Sequence, residues 1–189
     1  KRKYKKDYYK FSEKEKIEFL KSLIGKKKNI IKNFNFRNEE SKEVWSTFKT
    51  LSYEPPECLG AYVISMTASA SDILSVSFLQ KEANIKYKLR VVPLFETLDD
   101  LINSKSIMQT LFSQKWYRKL IQNKQEVMIG YSDSGKDAGK MCASWHQYKA
   151  QEEIVKLAKK FNIEVIFFHG RGGSAGRGGG PIQATLRSL

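Results

Sequence analysis

Cysteine is scarce in this sequence: Cys58 and Cys142 are the only two in 189 residues. Their separation matches no metal-ligand spacing, which argues against a thiolate metal centre. Two reduced thiols fit a cytosolic protein better than a disulfide-stapled secreted one. Long apolar runs are missing as well. No stretch approaches the roughly 18 apolar residues that a bilayer span needs. The N-terminal "KRKYKKDYYK" is not followed by the apolar core of a signal peptide. A cytoplasmic location with no membrane partner is therefore the expectation. Acidic residues are few: 20 Asp and Glu face 34 Lys and Arg, for a net charge of +14. Residues 1–33 hold 13 Lys/Arg against 4 Asp/Glu, a balance of +9, which leaves +5 for the other 156. A basic end can serve a nucleic acid or an anionic membrane. Here the lysines are spread around an amphipathic pattern, which reads better as a solvated surface. An initiating Met is also missing and the chain stops after "ATLRSL", as expected of an excerpt from a longer protein.

What is present suffices for a buried core, with 41% of residues apolar and 12% aromatic. "SEKEKIEFLKSLI" (12–24) opens with Ser12 and Glu15 in capping-box spacing. Ile17, Leu20 and Ile24 then recur at helical spacing. "EESKEVWSTFKTL" (39–51) repeats the pattern with Val44, Phe48 and Leu51, before Pro55 and Pro56 break the chain. Residues 1–58 read as a helical lead-in.

From Leu59 strands alternate with helices. "AYVISM" (61–66) predicts a strand, "SDILSVSFLQKEA" (71–83) a helix capped by Ser71, and "YKLRVVPLF" (87–95) a second strand. A short helix from Thr97 is expected to stop at "INSKS" (102–106), with a further helix over 107–122. "EVMIGY" (126–131) is the third strand. Residues 137–160 form a long helix capped by Asp137, with Met141, Trp145 and Tyr148 on one side. "IEVIFFH" (163–169) is the fourth strand. This alternation implies parallel strands joined by crossover helices. Continuous apolar strands imply burial on both faces. Four such units are half of an eight-unit barrel or most of an open doubly wound sheet.

Polar residues fall where the strands end, the rim on which parallel α/β folds build sites. Thr67, Ser69, Ser71 and Asp72 follow the first strand, and Glu96 follows the second. Glu96 suits a metal ligand or general base, or simply a first-turn acid favoured by the helix dipole; Asp99 and Asp100 fit the dipole role. Asp133 follows the third strand with Ser132. Two carboxylates from neighbouring strand ends suit Mg²⁺ or Mn²⁺, although Asp133 or Ser134 also suits a helix N-cap. Lys136 can offer a point charge to an anion, but "SGKD" lacks the features of a Walker A loop. His169 ends the fourth strand, where it can move protons, orient an anion or serve structure alone. His146, in mid-helix, reads as structural or exposed.

"FHGRGGSAGRGGGP" (168–181) sets Arg171 and Arg177 among seven glycines. Gly170, Gly172 and Ala175 satisfy a loose dinucleotide-binding pattern. "GRGG" twice also suits an RGG-type RNA-binding module without catalysis, but such segments are seldom fused to a buried strand. An anion cradle fits better. Backbone N–H groups, those of Gly172 and Gly173 included, and Arg171 would face a phosphate, while Arg177 meets a second anion or a carboxylate. Pro181 suits the first turn of a following helix.

"VMIGYSDSGKDAG" (127–139) and the glycine loop closely resemble motifs of the phosphoenolpyruvate carboxylases. "LGAYVISM" (59–66), "VVPLFETLDDL" (91–101) and "SWHQYKAQEEI" (144–154) agree with that resemblance. It implies an α/β chain in which residues 59–189 form part of a TIM-like (β/α)8 barrel, about four parallel strands, with additional helices. It implies carboxylation of phosphoenolpyruvate by bicarbonate to oxaloacetate and phosphate, with Mg²⁺ or Mn²⁺, in a homotetramer. By motif, Glu96 and Asp133 would be metal ligands, and Arg171 with its glycine neighbours would hold the phosphoryl group. Lys136 and His169 would sit near bicarbonate, and Arg177 in a loop linked to inhibition by a C4 dicarboxylate. A nucleic-acid partner is not expected, since it leaves the spaced carboxylates without a role. Ala70 departs from the family's usual proline, implying a looser turn. The family's upstream histidine, downstream phosphate-binding arginine and mobile loop are absent, so the excerpt alone is expected to be inactive. An incomplete barrel would also expose two strand edges. A catalytically dead scaffolding relative is the remaining alternative.

Overall fold

The computed structural model of the chain describes residues 7–31, 36 and 38–170. Four strands form one parallel sheet, in the order β1 (Ala61–Ile64), β2 (Arg90–Phe95), β3 (Lys124–Gly130) and β4 (Glu164–Gly170). Each strand lies beside its predecessor in the chain. A doubly wound sheet reverses its order at a switch point, whereas successive units of a barrel do not. The chain is therefore α/β with the strand order of a barrel segment. Two compact units divide it, residues 1–93 and 94–189.

In the first unit, α1 (Glu13–Ile24) starts at the expected capping box, with the Ser12 N–H donating to Glu15 Oε2 at 2.7 Å. It buries Ile17, Leu20 and Leu23, the last in place of the expected Ile24. Helix α2 (Glu39–Leu51) buries Phe48, whose ring stacks on Tyr62 at 5.0 Å. Val44, expected on that buried side, is exposed. Trp45 packs there instead, with Leu51, against Phe48, Val76, Ala83 and Ile85; its larger ring removes more apolar area from water.

Helix α3 (Ala70–Glu82) begins after Ser69, not at the expected Ser71. Asp72 decides this, because its carboxylate accepts the N–H groups of Ser69 at 2.8 Å and Ala68 at 3.1 Å. Ser71 is engaged elsewhere, since its N–H and hydroxyl donate to the Glu13 carboxylate at 2.7 and 2.9 Å. At the far end of α3 the buried Glu82 carboxylate accepts the N–H groups of Ile30 and Ile31 at 2.6 and 2.8 Å, and pairs with Lys81 at 2.7 Å. The lead-in segment is thus tied to both ends of α3. Gln80, also buried, exchanges two hydrogen bonds with the Leu89 backbone and steers the chain into β2.

In the second unit the end of β2 pairs with β3 (Leu94↔Met128, Phe95↔Ile129), and β3 pairs with β4 from Lys124↔Glu164 to Gly130↔Gly170. Val127 and Ile129 are fully buried. Burial on both faces does not extend to β1 and β4, where Val63 and Phe168 are exposed; each is the last strand on its side of the described sheet. Helix α4 (Leu98–Phe112) runs straight through the expected break at 102–106. The hydroxyls of Ser104 and Ser106 bond back to Leu101 O and Asn103 O, each at 2.8 Å, so they are satisfied inside the helix. Helix α5 (Lys115–Leu120) is separate.

The long helix expected over 137–160 is α7 (Lys140–Phe161), which starts three residues later than expected and is preceded by a separate short helix, α6 (Ser132–Ala138). Gly139 divides them with φ at +75°, a conformation that side chains resist. Helix α7 buries Ala143, Gln147, Ala150, Ile154, Leu157 and Ala158, while Met141, Trp145 and Tyr148 lie exposed. Among the described residues no helix is long and apolar enough to cross a membrane.

Candidate active site

The ends of β2, β3 and β4 meet on one rim of the second unit. Parallel register sets Phe95 beside Ile129, so the next residues, Glu96 and Gly130, are neighbours. A Cβ built on Gly130 would lie 2.5 Å from Glu96 Cβ and 2.9 Å from Glu96 Cα. Only glycine lets the half-buried Glu96 leave its strand so close to β3. The exit is fixed from the other side by the first turn of α4. Asp100 Oδ2 accepts the N–H groups of Glu96 and Thr97 at 3.2 and 3.1 Å, and Thr97 Oγ1 accepts the Asp100 N–H at 3.1 Å. Asp100 is the first-turn acid expected of it, and it also closes a capping box with Thr97. Asp137, expected to cap the long helix, caps α4 instead: its carboxylate accepts the Leu98 N–H at 3.0 Å.

Asp133 follows Gly130 by three residues and lies in the first turn of α6. Its carboxylate accepts from Lys136 Nζ at 3.1 Å, an open pair one helical turn long. Such exposed pairs add little stability. The turn beneath them is rigid. Buried Ser134 donates to Gly130 O at 3.0 Å, and buried Gln147 donates to Gly130 O at 3.2 Å and to Ser134 Oγ at 2.8 Å. Buried bonds of this kind cost the full desolvation of a polar group when broken. The end of β3, α6 and α7 are therefore held as one block.

His169, the sixth residue of β4, sits opposite Ile129. Its Nδ1 lies 2.7 Å from the Tyr131 hydroxyl, one residue beyond β3. Sequence reasoning does not single out Tyr131. Its position one step past a strand end is the available signal. His146 is half-buried in α7. The structure thus pairs Asp133 with Lys136, His169 with Tyr131, and Glu96 with the end of β3. Arg171, Gly172, Gly173 and Arg177 lie outside the described residues, as do the readings of the glycine loop. In the first unit the polar residues after β1 have structural partners. Thr67 bonds to Ile64 O, Asp72 caps α3, and Ser71 holds Glu13.

Mg²⁺ and Mn²⁺ take hard oxygen donors and commonly keep water and substrate oxygens beside one or two carboxylates. Glu96 and Asp133 offer such donors from successive strand ends. Among the described residues no three His, Cys, Asp or Glu form a group that could hold a metal. A donor set of one or two carboxylates suits a cation that keeps positions open for substrate rather than a protein-enclosed structural ion.

A family model described as phosphoenolpyruvate carboxylase matches residues 2–188. The chain is 51% identical to the C4 phosphoenolpyruvate carboxylase of Flaveria trinervia over 181 residues, which is 96% of this chain and 19% of that protein. It is 49% identical, with the same coverage of 96% and 19%, to phosphoenolpyruvate carboxylase 3 of Arabidopsis thaliana. It is 51% identical over 174 residues to the phosphoenolpyruvate carboxylase of Acinetobacter baylyi, or 92% of this chain and 20% of that protein. The chain spans about one fifth of the length of the curated relatives it matches.

Proposed function

Because this chain belongs to the phosphoenolpyruvate carboxylase family, we propose that it carries part of the active site of a carboxy-lyase joining bicarbonate to phosphoenolpyruvate. The products are oxaloacetate and phosphate. A bicarbonate oxygen takes the phosphoryl group, leaving carboxyphosphate and the enolate of pyruvate. Carboxyphosphate then releases phosphate and CO₂, and the enolate carbon captures the CO₂.

Glu96 and Asp133 would hold Mg²⁺ or Mn²⁺, which when bound neutralises charge on the enolate and phosphate oxygens. Arg171 grips the transferring phosphoryl group through its planar guanidinium, helped by the backbone N–H groups of Gly172 and Gly173. Lys136 attracts bicarbonate as a compact point charge, and His169 donates a hydrogen bond to it. Arg177 binds a C4 dicarboxylate and couples it to the same loop. A homotetramer in the cytoplasm, supplying oxaloacetate to the tricarboxylic acid cycle, completes the proposal. The relatives named above lend no support to an RNA-binding module, and that reading leaves Glu96 and Asp133 unused.

The observation that supports this reading most is the close approach of Glu96 to Gly130, three residues before Asp133 in the chain. The test is bicarbonate-dependent oxaloacetate formation by the full-length protein with Mn²⁺. Arg171→Ala should remove nearly all turnover. Activity within a few-fold of the parent would show that the guanidinium does not hold the reacting group.

A further inference from the structure

We propose that the outer side of the first turns of α7, formed by Met141, Trp145 and Tyr148, is a docking surface for another helix of the same polypeptide, one outside residues 1–189. The inference rests on packing and on chain length, not on the reaction proposed above.

The inner side of α7 is buried from Ala143 to Ala158. On the opposite side Met141, Trp145 and Tyr148 recur at i, i+4 and i+7 and are 89%, 58% and 57% exposed. The two rings lie 6.1 Å apart, and Lys149 Nζ sits 5.7 Å from the centre of the Trp145 ring. The same side then changes character. Glu152, Lys156 and Lys159 continue it, and Glu152 pairs with Lys149 at 3.1 Å and with Lys156 at 2.9 Å. Water alone favours polar residues along the whole outer side of a helix. Single exposed apolar residues are ordinary, but a contiguous patch with a charged edge marks a contact. The change after Tyr148 is where that contact ends.

The size of the patch selects its occupant. Aromatic side chains bury about 150–250 Å² each, and these two are already partly covered. With one methionine they offer well under the ~800 Å² that each partner brings to a stable interface between separate chains. A second copy of this chain would therefore need further surface to stay bound. A segment of the same polypeptide needs less, because its tether makes docking intramolecular. The relatives contain such segments, since the matched residues are 19–20% of their length and about four fifths lies outside. A helix with an apolar stripe fits the patch, its side chains packing between the Met141, Trp145 and Tyr148 side chains.

The experiment uses the full-length protein, and its first arm needs no variant. Hydrogen peroxide converts accessible methionine to the sulfoxide, which peptide mass mapping reads. Met141 should oxidise about tenfold more slowly in the native protein than in the same protein unfolded in urea. In the second arm Tyr148→benzoylphenylalanine is irradiated in the native state. The cross-linked product should run at the mass of one chain on a denaturing gel. Mapping should join position 148 to a peptide outside residues 1–189. Oxidation of Met141 as fast as in urea would overturn the proposal. So would a product with the mass of two chains, which assigns the patch to a second copy, or cross-links confined to residues 1–189.

Discussion

Gly130 makes room for Glu96: a methyl group on Gly130 would lie 2.5 Å from Glu96 Cβ and 2.9 Å from its Cα. Part of that contact is backbone, so no change of rotamer relieves it. Gly130→Ala must displace the β2 exit, at a cost of about 1–3 kcal/mol. The variant should melt at a lower temperature, and its activity should need several-fold more Mn²⁺ for half-maximal rate. An unchanged Mn²⁺ requirement would mean that the position of Glu96 does not govern metal use.

Asp137 joins two βα units of that rim. Its carboxylate accepts the Leu98 N–H from 39 residues away and replaces the missing helical partner of that group. Asp137→Ala should cost about 1 kcal/mol, the usual loss of a cap, and Asp137→Asn much less, because an amide oxygen still accepts. Hydrogen exchange at the Leu98 amide should quicken in the alanine variant alone. Equal exchange in all three proteins would place the capping elsewhere.

Burial pushes the Tyr117 phenol well above its ordinary value, and its hydroxyl donates to Gln125 Oε1 at 2.7 Å. In the unfolded chain the same phenol ionises near pH 10. Above that pH the unfolded state has lost a proton that the folded state keeps. The unfolded state then binds fewer protons, so stability falls as pH rises. The contribution is fully present below about pH 10 and is lost above it. Tyr117→Phe should be about 1 kcal/mol less stable at neutral pH, from the lost hydrogen bond. Its melting temperature should decline less steeply between about pH 9 and 11. Parallel declines in the two proteins would contradict this.

Ala70 is the first helical residue of α3, and Ser69 before it is extended at φ −151°, ψ 161°. A first-turn position tolerates proline, and an extended predecessor is what proline requires. Ala70→Pro should therefore raise stability by about 0.4–1 kcal/mol, mainly by restricting the unfolded chain. A lower melting temperature would show that the buried Ala70 site has no room for the ring.

Features set by neighbours in the chain are legible in the sequence; those set across space are not. The Ser12–Glu15 capping box, the four strands and the polar strand ends at Glu96, Asp133 and His169 all depend on local spacing. The start of α3 is ambiguous in sequence because Ser69 and Ser71 are both plausible caps. Asp72 selects Ser69, while Ser71 is claimed by Glu13, 58 residues away. "INSKS" resembles a break because Asn and Ser favour turns, yet its serines bond back into α4. Asp137 reads as the cap of its own helix because its true partner comes from another βα unit. Tyr131 gains its meaning only from the β3–β4 register.

Anomalous diffraction from crystals of the full-length protein soaked in Mn²⁺ decides whether the two carboxylates share a cation. One peak is expected within about 2–2.5 Å of carboxylate oxygens from both Glu96 and Asp133. That peak should vanish in Glu96→Gln crystals. A Mn²⁺ peak that touches neither carboxylate, or that persists unchanged in the variant, would contradict the proposed metal site.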